Sequence, residues 1–259
     1  MPPRFRGRVR ILDGSPVERM RSDQIADDAM KFVSTPEVIK LAFFVDGSFR
    51  RKSEQSGVAV VFRRFSPGSA HDGMKVEMAF PLCDSTALDN NIAEMIALLQ
   101  GILVALEELE QAGPLGTRRV EVMILSDSEV GLRAVTAALC GKKDTYSVAK
   151  NFVVGEIVAA SERLRTCRGL DVALELFWVK GHALKILYHT DADTQAKYGR
   201  TLADPRAWVD GGVPVPCAGN VFDVLEAPLA QIAATTILRR HAVDPVRAVR
   251  EGAPSPEPR

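Results

Sequence analysis

The sequence lacks paired cysteines. Its four, Cys83, Cys140, Cys167 and Cys217, are far apart and none forms a CxxC pair, which argues against a zinc site. It also lacks a surplus of charge: Lys plus Arg number 33, and so do Asp plus Glu. A chain so balanced has no general attraction for nucleic acid, so any nucleic-acid site has to be local, with acidic residues placed elsewhere. There is no N-x-S/T sequon, no apolar segment resembling a signal peptide, and no apolar stretch fit to span a bilayer. These absences point to an intracellular, reducing location, nuclear or cytoplasmic, with free thiols and no membrane partner. The basic start MPPRFRGRVR leaves a mitochondrial transit segment open, although Asp13 and Glu18 follow closely. GxSxG and HExxH are missing, which excludes those hydrolase and metalloprotease chemistries, and neither a P-loop nor a dinucleotide fingerprint occurs.

What is present is the composition of a globular protein, 46% hydrophobic and 25% charged over 259 residues. That length suits one large domain, or a medium domain with extensions. The most informative stretch is KLAFFVDGSFR, Lys40 to Arg50. The unbroken apolar run Leu41 to Val45 reads as a strand buried on both faces, ended by Gly47 and Ser48 as a turn. Asp46 therefore emerges at the end of a central strand, where a carboxylate is costly to desolvate without a positive partner. A metal ion, an Arg or Lys, or a backbone turn could satisfy it.

The rest of the chain supplies its company. Residues 1 to 37 look peripheral. Arg4, Arg6, Arg8 and Arg10 alternate with small or apolar residues, as in an edge strand or an arm, and a short helix is expected through DQIADDAMKFV. GVAVVFRRF (Gly57 to Phe65) and KVEMAFPL (Lys75 to Leu82) read as two further strands that make a meander with the first. Residues 84 to 112 carry apolar residues at three- and four-residue spacing and predict a long helix. Glu94 lies in its first turns, behind Asn90 and Asn91, where either Asn could cap the helix. Val120 to Leu125 then repeats the Asp46 arrangement: an apolar strand, the carboxylate Asp127, and Ser128. A right-handed crossover would lay this strand parallel to the first, with both carboxylates at one edge. Two aspartates so placed repel and need a cation. Helices near 129 to 139 and 148 to 166 lead to a strand over Val172 to Val179, closed by Lys180, Gly181 and His182. The loop ALKILYHT precedes DADTQAKYGR, which reads as a helix start. Beyond Thr201 comes loop composition, an apolar helix near 221 to 240, and the tail GAPSPEPR, which reads as disordered.

These motifs, in this order, resemble the type 1 ribonuclease H family. VDGS is similar to the family's first-strand motif, NNIAEMIALLQGILVALEEL to its first helix, LSDSEVGL to its fourth-strand motif, FWVKGH to its fifth strand and His loop, and ADTQA to its last motif. The shape of the motifs is also similar to ribonuclease H domains attached to retroelements, but no reverse transcriptase is present in this chain. The resemblance implies an α/β fold: a mixed five-stranded sheet flanked by helices over residues 38 to 200, with an N-terminal extension over 1 to 37 and a C-terminal one over 201 to 259. It implies a metal-dependent endoribonuclease cleaving the RNA strand of RNA–DNA hybrids. Catalysis would rest on Asp46, Glu94, Asp127 and Asp193, holding two Mg²⁺ or Mn²⁺ ions, with His182 assisting. Asn90, Asn91, Gly47, Ser48, Ser128 and Lys180 would contact the substrate, the two amides reading the 2′-hydroxyl that marks RNA. A monomer is expected. The family's last loop commonly carries glycines and an Asn-Glu pair before the final Asp, and ILYHTDAD has neither. An inactive or weakly active module of the same fold, binding nucleic acid or protein, is therefore the alternative; a related nuclease acting on another nucleic acid is a third reading.

Overall fold

The computed structural model describes residues 5 to 202, except 6, 12–15, 32–33, 36, 53–54, 68, 71, 83–88, 113, 117, 141–147 and 182–185. The helix expected near 221 to 240, the C-terminal tail and His182 lie outside the described residues.

Six strands form one sheet. They are β1 (Arg8–Arg10), β2 (Val38–Arg50), β3 (Gln55–Arg63), β4 (Lys75–Leu82), β5 (Arg119–Ser126) and β6 (Asp171–Trp178). The order across the sheet is β1-β6-β5-β2-β3-β4. β2, β3 and β4 make the antiparallel meander, while β5 lies parallel to β2, β6 parallel to β5, and β1 parallel to β6. The sheet thus has one strand more than the five expected. The extra strand is the alternating Arg segment, which pairs Arg8 with Glu175 and Arg10 with Phe177, and an Arg10–Glu175 ion pair pins it to the edge.

The α-helices among the described residues are α1 (Pro16–Met30), α2 (Asn90–Gln111), α3 (Glu129–Leu139), α4 (Val148–Arg165) and α5 (Leu187–Leu202). Side chains alternate across a strand, so the sheet has two apolar faces to cover. Phe43, Val45, Val60, Ile124 and Leu176 point to the face covered by α2 and α4. Phe44, Val61, Leu125 and Phe177 point to the other, where Ala26 and Ala29 of α1 and Tyr188 and Ala192 of α5 meet them. The central strands are buried on both sides, which is why their sequences read as continuous apolar runs rather than alternation.

Two glycines let helices approach the sheet closely. A Cβ at Gly57 would collide with the backbone of Gly199 and Arg200 in α5, and one at Gly47 with the backbone of Ala93 and Glu94 in α2. The second contact has a functional consequence: it draws the start of α2 onto the end of β2.

Candidate active site

β5 lies beside β2, which runs on to Arg50 in its pairing with β3, so Gly47 and Ser48 continue the strand rather than ending it as the turn expected from sequence. The parallel register of β2 and β5 runs to Phe44 opposite Leu125, and two residues further along each chain come Asp46 and Asp127. Period two places both on the same face as Phe44 and Leu125, the face covered by α5. The end of β5 is held firmly. Val179 N–H donates to the Ser126 carbonyl at 2.9 Å, and Trp178 Nε1–H to the Asp127 carbonyl at 3.2 Å. Ser128 caps α3, its hydroxyl accepting from Gly131 N–H at 3.1 Å.

Glu94 arrives from the opposite face. The N-cap of α2 is Asp89, not either of the two asparagines, and its carboxylate accepts from Ile92 N–H at 2.9 Å. Asn90 is left to use its side chain elsewhere, and its Nδ2 donates to Glu94 Oε1 at 2.6 Å. With Gly47 under its backbone, Glu94 reaches the same sheet edge.

The last contribution comes from α5. This helix begins at Leu187, earlier than the DADTQ start expected from sequence, so much of the expected loop is helical. Ile186 and Tyr188 are buried while Leu187 is exposed. Tyr188 packs edge-on against Phe44 with centroids 5.6 Å apart, and this apolar anchoring lengthens the helix at its start. Asp193 lines the same cleft as Asp46, Glu94 and Asp127. Asp191 points away and pairs with Lys75 of β4, which also reaches Glu77 at 2.6 Å. Asp191 is thus a tether to the sheet rather than a helix cap.

Of the predicted substrate contacts, Gly47, Ser48 and Asn90 line the cleft. Ser128 lies beside it and hydrogen-bonds Glu94. Asn91 is not among the lining residues, and Lys180 is exposed at the end of β6. Three lining residues went unnoticed in the sequence, His189, Thr190 and Lys197. His189 and Lys197 are each four residues from Asp193 on α5, and that spacing was the available signal.

The electrostatics of the cleft are those of crowded carboxylates. Asp46 is only 7% exposed. Burial, and after it the charge of Asp127, pushes its pKa up from 3.8 to about 8. Burial also raises the Glu94 pKa, against the opposing hydrogen bond from Ser128. Burial works against a charged His189, but the hydrogen bond and charge of Asp127, with Asp46 and Asp193 behind it, outweigh burial and raise its pKa.

The donor set fits a hard divalent cation: it is four carboxylates, all oxygen. Asp127 Oδ1 is buried with no hydrogen-bond partner among the described residues. No hydrogen bond or ion pair ties the Asp46 carboxylate to another described residue either. No group of three or more His, Cys, Asp or Glu among the described residues is drawn together at ligand spacing. The cause is visible in the cleft. Glu94 is turned to Asn90, Asp127 to His189, and Asp193 to Lys197 Nζ at 2.6 Å.

No match is found among curated proteins. Among solved structures, the chain is similar to the N-terminal RNase H domain of a Mycobacterium tuberculosis protein, solved as a fusion with maltose-binding protein. That likeness has 20% identity and a TM-score of 0.42, and covers 65% of this chain and 99% of that one. It is also similar to RNase H1 from the halophilic archaeon Halobacterium salinarum, at 20% identity and a TM-score of 0.39, covering 62% of this chain and 96% of that one. No helix of the described residues is long and apolar enough to cross a membrane. A model of the RNase H family matches residues 39–201, a span that holds every strand but β1 and all four carboxylates of the cleft, and on that match the chain belongs to the type 1 ribonuclease H family.

Proposed function

We propose that this chain is a metal-dependent endoribonuclease that cleaves the RNA strand of RNA–DNA hybrids. The observation that carries the reading is that four carboxylates line one cleft, with Asp46 buried there so that burial, and after it the charge of Asp127, pushes its pKa up to about 8. A structural role gives no reason to bury an uncompensated carboxylate beside others, whereas a cation site does.

Asp46, Glu94, Asp127 and Asp193 would hold the ions, two Mg²⁺ or Mn²⁺. Bound there, divalent cations supply activation of water and stabilisation of the leaving oxygen of a phosphodiester. The chain's own residues do the rest. β2 and β5 fix the backbones of Asp46 and Asp127, so these two carboxylates need little reorganisation to take up a cation. Glu94 and Asp193, now bonded to Asn90 and Lys197, would give up those bonds to hold a cation. Asn90, released at the mouth of the cleft, has an amide able both to donate to and to accept from a 2′-hydroxyl. Lys197 is left as a cation beside the cleft, placed for a backbone phosphate. Arg50, the last residue of β2, and Arg51 and Lys52 just past it, all exposed, extend that grip.

The alternative, a module of the same fold that binds without cleaving, draws on one observation: His189 and Lys197 already engage two of the four acids. One assay separates the two readings. A labelled RNA–DNA hybrid should be cut in the presence of Mg²⁺ or Mn²⁺, while single-stranded RNA and duplex RNA of the same sequence persist. Binding of the hybrid without cutting, in either metal, would favour the alternative.

A further inference from the structure

His189 belongs to no motif that carries the family resemblance; that histidine is His182, seven residues earlier. It nonetheless occupies the heart of the cleft. It is 3% exposed, its Nε2 lies 3.4 Å from Asp127 Oδ2, and it shares a face of α5 with Asp193, one turn on. The turn that carries it is anchored: the amides of His189 and Thr190 both donate to the carbonyl of buried Ile186, at 3.1 and 3.0 Å. Gly181 leaves room for Asp127 Oδ2, since any Cβ there would collide with that oxygen. Asp127 is therefore held at two points, its carbonyl by Trp178 and its Oδ2 by the ion pair with His189, while Oδ1 has no partner among the described residues.

From this geometry we propose that His189 is a positioning residue. Its Nε2–H holds Asp127 Oδ2 and so presents the other carboxylate oxygen to the cation. The inference rests on the metal-site reading above and adds to it. A ligating carboxylate that is itself hydrogen-bonded pays less to order itself on binding, and removing such a partner typically weakens metal affinity by about 10- to 100-fold. The fold supports the role in a way a loop residue could not, because α5 fixes the height of His189 relative to Asp193.

The test is Mn²⁺ binding to the full chain by titration calorimetry, which needs no cleavage. His189→Leu removes the donor and keeps apolar bulk; His189→Gln returns an N–H near the position of Nε2. The proposal expects His189→Leu to bind Mn²⁺ about 10- to 100-fold more weakly than wild type, and His189→Gln to recover most of that loss. In an Asp127→Asn background the Leu substitution should cost no further affinity, since the effect passes through Asp127. Should His189→Leu fail to fold, His189→Met takes its place. Equal affinity in wild type and the apolar variant would overturn the proposal, as would equal loss in the Leu and Gln variants. Wild-type chain that binds no Mn²⁺ would instead overturn the metal-site reading itself, an outcome distinct from either.

Discussion

Asp46 and Asp127 stand at matching positions on adjacent parallel strands, each two residues past the last paired positions, Phe44 and Leu125. The crossover through α2 brings the strands together, period two turns both carboxylates to one face, and the Trp178 and Val179 bonds hold the end of β5. Two acids on rigid backbone cannot relax apart by much. One of them, Asp46, answers by keeping its proton.

That proton has a measurable consequence. The folded pKa of Asp46 is raised from 3.8 to about 8, so between these values the folded state binds a proton that the unfolded chain has released. Stability then falls as pH rises across that window. In EDTA, Asp46→Asn should flatten the decline and leave the protein more stable than wild type near pH 8, by roughly 1 to 3 kcal/mol. Urea unfolding of both proteins at about pH 5 and 8 checks the sign. Divalent cation should restore wild type and do little for the variant.

The two acids of the last motif should part company. Asp193→Asn is expected to abolish hybrid cleavage with the fold intact, because Asp193 lines the cleft. Asp191→Ala breaks only the tether to Lys75, a pair about a third exposed, and should cost up to about 1 kcal/mol with cleavage retained. Single-turnover rates alongside thermal melts would show the ranking; the reverse order would assign the metal role to Asp191.

Gly47→Ala should be costly although the change is one methyl. The new Cβ would meet the backbone of Ala93 and Glu94, which cannot swing aside as a side-chain tip can. Overpacking of this kind costs about 1 to 3 kcal/mol. Because the strain falls between Asp46 and Glu94, Mn²⁺ affinity should fall along with stability. Chemical denaturation and calorimetry on the same variant check both.

Hybrid binding should weaken with salt. A chain of zero net charge grips a phosphate backbone only through local cations, so log affinity should fall with log salt at a slope set by a few contacts. Neutralising Arg50, Arg51 and Lys52 together should lower that slope by up to about 1 per lost contact. A flat salt titration would mean that phosphates contribute little.

Much of this was legible in the sequence, for identifiable reasons. Val120 to Leu125 and Val172 to Val179 read as strands because burial on two faces leaves them apolar but for Glu121 and Glu175. Asp46 and Asp127 stood out because each interrupts such a run at its end. The less legible parts depend on distant partners. The three residues of β1 gain strand character only by pairing with β6. The first turn of α5 depends on Ile186 and Tyr188 finding the core beneath Phe44 and Leu125, and nothing local announces it. His189 followed that error. Taken as part of a loop it had no geometry, and its partner Asp127 lies on another element altogether.

The most direct measurement is the single-turnover cleavage of an end-labelled RNA–DNA hybrid by wild type, Asp46→Asn and Asp127→Asn, in Mn²⁺ and in EDTA. The account predicts that wild type cuts the RNA strand only with metal, leaves the DNA strand whole, and that each variant is slower by roughly 10²-fold or more while folding normally. Wild-type cleavage that persists in EDTA, or variants that cut at the wild-type rate, would contradict it.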